Sequence, residues 1–361
     1  MRHSKSRSVL RRAIAPAATA ALLPALMLIG GMARAAGVPK VVSASLSSVS
    51  CKGNSFCLAA GSYSTRLGKG LRLNEAWNGK GWNDVSDPLR GHLFLISCGS
   101  PTFCFGSIQV TPWRARAAKW NGRTWQAFKG SAAVGATCGS PKVCMNISGT
   151  AIDEWNGKRW KVDPSTDACA GNPPDDPCGY NDISCGSATN CLAIMYACTT
   201  QECVDGPDQI STTWNGSSWG SGFSAPFPGS LSCSWGAFCM DTSSATQATI
   251  WDNAGWQDAS PDLSAICSSA QKCSLNGLLA CGAPQDCVVL PHGSPVSLVW
   301  SDFAWKAVPL ATVHGTVPQL SGLSCGSATN CMAVGSQGTP AQPVAEHWNG
   351  TRWQLTKPAN H

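Results

Sequence analysis

Between residues 320 and 355 the apolar positions fall into four short runs, Leu320–Cys325, Cys331–Ser336, Val344–Trp348 and Arg352–Leu355, separated by turns rich in Gly, Asn and Ser. Short runs of this kind predict strands with one buried face. Two fixed features frame them. Cys325 and Cys331 bracket the first turn with five residues between them, and Trp348 and Trp353 bracket the third with four. The same unit occurs seven times. Its cysteines pair as Cys51 with Cys57, Cys98 with Cys104, Cys138 with Cys144, Cys185 with Cys191, Cys233 with Cys239, Cys281 with Cys287 and Cys325 with Cys331. Each pair is followed by two tryptophans, from Trp77 and Trp82 in the first copy to Trp348 and Trp353 in the last. The first cysteines lie 40 to 48 residues apart, a period that points to a solenoid or a propeller.

In five copies Asn-Gly stands between the tryptophans, a strong hairpin signal. If Asn-Gly alone is the turn, the two tryptophans are diagonal neighbours. If all four residues form the loop, they face each other. In both registers the rings share one side of the sheet. A four-stranded sheet with an aromatic face must bury it, and the neighbouring copy is the obvious partner. The expected fold is therefore all-β, a seven-bladed propeller of four-stranded blades, disulfide-rich. The blades are expected at about 46–86, 93–130, 133–164, 180–222, 229–260, 277–309 and 320–357. Each Cys-x5-Cys pair reads as a structural disulfide across a hairpin mouth, contributing roughly 2 kcal/mol in the loop-entropy model. The spacing is not that of Cys-x2-Cys zinc knuckles.

The pattern S-C-x5-C-x-A-x-G followed by E-x-W-N-G-x-x-W resembles that of uncharacterised secreted repeat proteins of actinobacteria, predicted β-propellers. It is more distantly similar to kelch-type and lectin-type propeller repeats. The resemblance spans roughly residues 46–357 and implies the fold; it brings no functional residues with it.

Residues 1–12 carry five basic side chains and no acid, an Ala/Leu-rich run follows, and Ala33-Arg34-Ala35 is an A-x-A cleavage pattern. The sequence predicts a secretory signal peptide over 1–35 and a single mature domain over 36–361. The whole chain has 26 basic and 20 acidic residues; the leader holds six of the former and none of the latter, so the mature chain is neutral. The basic pI is no argument for nucleic acid. All twenty cysteines lie in the mature part and pair locally. Beside the seven repeat pairs, Cys169 is expected to join Cys178, Cys198 to join Cys203 and Cys267 to join Cys273. That count fits an oxidising compartment. The expectation is a secreted, extracellular monomer with no membrane attachment after cleavage.

Cys-x5-Cys and Trp-x4-Trp never change length. The second connection does: the second cysteine and the first tryptophan are 11 to 23 residues apart, and the connection between copies varies too. A propeller places both variable connections on one face, where a rigid scaffold usually carries its binding site. Copy four has the longest of these loops, 164–182 and 196–209, each with its own cysteine pair. The stretch 264–274 reads as an extra hairpin or the relic of an eighth blade.

No G-x-S-x-G, H-E-x-x-H or phosphate loop occurs. His92, His292 and His314 fall in variable loops and could form a cluster. Asp167, Asp175, Asp176 and Asp182 crowd the copy-four loop and could hold Ca²⁺; no other cofactor is expected. Tyr63 with Arg66, Trp113 with Arg114 and Arg116, and Tyr180 and Tyr196 put aromatic rings, some beside cations, on the variable face, a composition suited to sugars. The functional expectation is a non-catalytic binding protein for an extracellular or cell-wall ligand, a glycan in the leading reading. The alternative is a propeller lyase or glycosidase with its site at the funnel mouth.

Overall fold

Every repeat folds into one antiparallel sheet whose second strand is buried on both faces over most of its length, as in Phe103–Thr111 and Asn330–Gln337, because neighbouring blades cover it on either side. A computed structural model describes residues 41–66, 70–85, 89–111, 113–129, 135–171, 177–198, 207–220, 222–226 and 229–359. The expected signal peptide over 1–35, Asp175, Asp176 and Cys203 lie outside them. Seven four-stranded sheets form, each with its strands in chain order. Blade 1 consists of Val41–Lys52, Phe56–Thr65, Gly70–Trp77 and Trp82–Asp84; blade 7 ends with Trp353–Thr356. The first strand of every blade is innermost and adjoins the first strands of its neighbours, and blade 7 adjoins blade 1. The architecture is the expected seven-bladed propeller.

The tryptophans settle the register left open by the sequence. Trp77 pairs with Trp82 directly, as do their counterparts in the other blades, so the loop has four residues. The Asn side chain supports it: Asn78 Oδ1 accepts the N–H groups of Lys80 and Gly81, both at 3.0 Å. Gly79 takes a φ of +88°, which the turn requires. Blade 6 lacks Asn-Gly and closes instead with Asp302 and Phe303, both at positive φ, as a two-residue turn.

Both tryptophans of a pair work as fasteners. The first holds its own blade: the indole N–H of Trp120, Trp155, Trp214 and Trp348 donates to a carbonyl in the first turn of the same blade. The second reaches the preceding blade, as Trp353 does to Ser297 Oγ at 2.8 Å and Trp256 to Ser211 Oγ at 3.0 Å. The cores are accordingly inter-blade clusters, such as Trp251 against Leu192 and Ile194. Burying one indole contributes roughly 4–6 kcal/mol of transfer free energy before ordering costs. Closure follows the same rule, because Trp77 and Trp82 of blade 1 pack on Met332, Val334 and Ala345 of blade 7 and Trp82 Nε1 donates to Thr356 Oγ1.

Nine disulfides join described residues, all in the predicted pairs. Seven of them staple the blades: Cys51 to Cys57, Cys98 to Cys104, Cys138 to Cys144, Cys185 to Cys191, Cys233 to Cys239, Cys281 to Cys287 and Cys325 to Cys331. In each the two cysteines face each other across the first hairpin. The other two, Cys169 to Cys178 and Cys267 to Cys273, close connections between blades. Cys198 is buried at the end of the second strand of blade 4, and its expected partner Cys203 lies beyond the described residues.

The stretch 264–274 differs from expectation. Cys267 and Cys273 do pair, but they bracket no hairpin. The segment forms a helical turn, Leu263–Ile266, and a 3-10 turn, Ser269–Gln271, with no strand. Asp262 starts it by accepting the N–H groups of Ser264 and Ala265, and it covers a cluster formed by Ala248, Leu275, Val289 and Leu298. It is an inter-blade cover rather than a blade remnant.

Candidate site in the groove between blades 3 and 4

After the outermost strand of blade 3, Trp160–Asp163, the chain turns back at once because Asp163 caps the next three residues. Its carboxylate accepts Ser165 N–H at 2.9 Å and Ser165 Oγ–H at 2.7 Å. Thr166 is buried; its hydroxyl donates to Asp163 O and accepts the N–H of Ile152. The Tyr180 hydroxyl then donates to Thr166 O at 2.6 Å, which ties the start of blade 4 to the turn. Cys169–Cys178 closes the loop between them.

These contacts hold open a groove of about 280 Å³ lined by Ser165, Thr166, Asp167, Tyr180, Met195, Thr212, Trp219, Gly220 and Gly222. Trp219 is half-buried, and its indole N–H donates to Glu154 Oε1 at 3.0 Å. Glu154 is pushed up from the usual carboxylate range, chiefly by burial. The neighbouring Asp163 carboxyl adds to the same upward push. Burial raises the Tyr180 phenol to about 12, and its hydroxyl stays protonated at neutral pH. Exposed Asp167 is held below its usual value by hydrogen bonds from Thr150 and from the N–H of Cys169, and presents an acceptor at the rim.

Of the seven aromatic and basic candidates, Tyr180 alone lines this groove. Tyr196 lies over Gly179, where an added Cβ would sit 2.9 Å from its hydroxyl. Trp113 is 96% exposed on blade 2 beside the exposed Arg114 and Arg116. Tyr63 packs on the blade 1 core, and Arg66 is exposed beyond it. These residues belong to three blades and make no single site.

The candidate calcium ligands divide as well. Asp182 is half-buried, and its two oxygens accept the N–H groups of Ile183 at 2.7 Å and Leu231 at 3.2 Å. Among the described residues no group of three or more His, Cys, Asp or Glu forms a metal-ligand cluster. His92 begins the first strand of blade 2, and His292 and His314 lie in separate connections; all three are exposed.

Trp219 was hidden in the sequence among the fourteen repeat tryptophans. Its neighbours carried a signal. Gly220-Ser221-Gly222 follows it, whereas no other copy has glycine within three residues after its second tryptophan. Gly220 and Gly222 line the groove together with Trp219.

No known protein family matches the chain, and no curated protein does. Solved structures do. YCF48 from Cyanidioschyzon merolae is similar over 86% of this chain and 98% of its own, at 13% identity and a TM-score of 0.50. SapL1 lectin in complex with alpha methyl fucoside is similar over 88% and 96%, at 13% identity and a TM-score of 0.40. The six-bladed fungal lectin of Aleuria aurantia covers 89% and 97%, at 10% identity and 0.36. At such identities the likeness to YCF48 concerns the fold alone. The nine disulfides are consistent with an extracellular protein; no helix among the described residues is long and apolar enough to cross a membrane.

Proposed function

We propose that the protein is a secreted, non-catalytic carbohydrate-binding propeller that takes a sugar residue in the groove between blades 3 and 4. The observation that carries this reading is the composition of the groove: Tyr180 and Trp219 rings beside the Asp167 carboxylate and the Ser165 hydroxyl at its exposed rim. A sugar ring has apolar C–H faces, which suit aromatic rings, and a rim of hydroxyls, which suit such acceptors and donors. The Cys169–Cys178 clamp lowers the entropy lost when a ligand orders the loop. Export rests on the leader and its A-x-A motif, with the disulfides in support.

The test is a glycan array probed with the wild type and Gly220→Leu. An added Cβ at Gly220 meets Thr213 Oγ1 only at 3.4 Å, so the fold accepts a side chain there that fills the groove. The wild type should bind a defined set of glycans that the variant loses. A wild type that binds no glycan, or a folded variant that binds the same set, contradicts the reading.

A further inference from the structure

The opposite face holds a second feature, built on different residues. There the central channel opens between the seven first turns as a cavity of about 250 Å³. Five blades carry glycine after the first cysteine: Gly99, Gly139, Gly186, Gly282 and Gly326. The reason is steric. An added Cβ would lie 1.9 Å from Ser187 O at Gly139 and 2.2 Å from Ser327 O at Gly282, both backbone atoms of the next blade. Two blades break the pattern. Blade 1 has Lys52, and blade 5 has Ser234 followed by Trp235.

The two breaks meet. The Lys52 ammonium crosses from blade 1 to blade 4, donating to Gly186 O at 3.4 Å. Gly186 in turn lies against the Ser234 backbone, one residue from Trp235. Trp235 is 60% exposed at the same mouth. Among the described residues that line the cavity there is no Asp or Glu, and Lys52 carries the only charge.

The lining around it is rich in donors. Ser50, Ser97, Thr137, Ser184, Ser232 and Ser324 each accept the N–H of the next blade's first cysteine, at 2.8 to 2.9 Å. Each of these hydroxyls keeps its own proton to give. A half-buried ammonium with one long bond to a neutral carbonyl is incompletely compensated. Burial lowers the Lys52 pKa accordingly. An oxyanion at this position would supply the missing charge and accept from ammonium and hydroxyls together.

We propose that the channel mouth on the short-turn face is a binding site for an acidic sugar, with its carboxylate on Lys52 and its ring against Trp235. The site shares no residue with the groove between blades 3 and 4, so the failure of either leaves the other standing.

The experiment is calorimetric titration of the mature protein with D-galacturonate and with D-galactose, in the wild type, Lys52→Met and Trp235→Ala. Galacturonate should bind saturably, at least tenfold more weakly in Lys52→Met and several-fold more weakly in Trp235→Ala. Galactose should be the weaker ligand in the wild type by tenfold or more. Trp235→Ala alters an exposed side chain and remains informative if Lys52→Met does not fold. Absence of galacturonate binding in the wild type, equal binding of the two sugars, or galacturonate binding unchanged in either folded variant would overturn the proposal.

Discussion

The two faces of the ring are held together by different chemistry. On the short-turn face, neighbouring blades interlock through uncharged contacts: glycines that admit the next blade's backbone, and hydroxyls that accept its cysteine N–H groups. The segments that lead into and out of the blades are held by buried or half-buried carboxyls instead. Glu75 accepts the N–H of Ala359, Glu346 that of Ala311, Asp241 that of Gly229 and Asp182 that of Leu231. Backbone interlock fixes loop length, so on the short-turn face new chemistry enters by substitution, as at Lys52 and Trp235. On the long-loop face it enters by insertion, as in blade 4. Constant length is thus a sign of tight fit and not of uniform function.

The largest expected effect sits where the tryptophans fasten one blade to the next. Trp251→Ala, at a position 1% exposed, should cost about 3–5 kcal/mol in denaturant unfolding. Trp113→Ala on the long-loop face should stay within about 0.5 kcal/mol. Equal costs would break the distinction between the faces.

The pH dependence should belong to the carboxyl-held connections. Burial raises Glu75, Glu346 and Asp241 to about 7 and Asp182 to about 6. A carboxyl whose folded pKa is raised binds its proton more tightly in the native state. Stability is therefore greatest below the unfolded value and falls as pH rises toward the folded one. Asp163, Asp167, Asp258 and Asp262 are depressed and act oppositely, but only at more acid pH than their ordinary value; His347, lowered by burial, also opposes the trend below its ordinary value, one group against four. The melting temperature should be higher at pH 5 than at pH 8, and hydrogen exchange at 229–231 should be faster at pH 8 after correction for intrinsic rates. A melting temperature that rises from pH 5 to 8 would oppose this account.

A smaller effect tests the interlock directly. Gly139→Ala forces a Cβ onto Ser187 O and should cost about 1–3 kcal/mol, whereas Gly81→Ala, where a Cβ meets nothing within 4 Å, should be nearly neutral. The smallest change probes the one gap in the hydroxyl series. Ala280 stands where the other blades have Ser or Thr, and Cys325 N–H finds no hydroxyl there. Ala280→Ser should gain about 0.5–1.5 kcal/mol in equilibrium unfolding, and a loss of stability would count against the bridging role assigned to these hydroxyls.

Blade number, strand count, disulfide pairing and the division into a constant and a variable face were legible because each depends on residue spacing, which a sequence states directly. Spacing alone did not give the shape of the Cys267–Cys273 segment, since five residues between cysteines suit a helical turn as well as a hairpin. The facing of the tryptophan pairs was not legible either, because Asn-Gly suits a two-residue turn as well as the first half of a four-residue one. The groove was only partly legible. Tyr180 and Asp167 were named from loop composition, but Met195, Thr212 and Trp219 come from three other segments that only the fold assembles. Trp113 looked attractive beside two arginines, yet full exposure leaves it without a cavity. Lys52 and Trp235 went unnoticed because they occupy turns of constant length, where every residue read as structural.

The most direct measurement is an indole ¹⁵N–¹H correlation spectrum of the mature protein titrated with a glycan selected on the array. Each of the 16 tryptophans supplies one indole probe. Assignment by single Trp→Phe variants identifies Trp219, Trp235 and Trp113. A neutral glycan should shift Trp219 saturably and leave Trp235 and Trp113 in place. Binding that leaves Trp219 unmoved while another indole shifts would contradict the assignment of the groove between blades 3 and 4 as the sugar site.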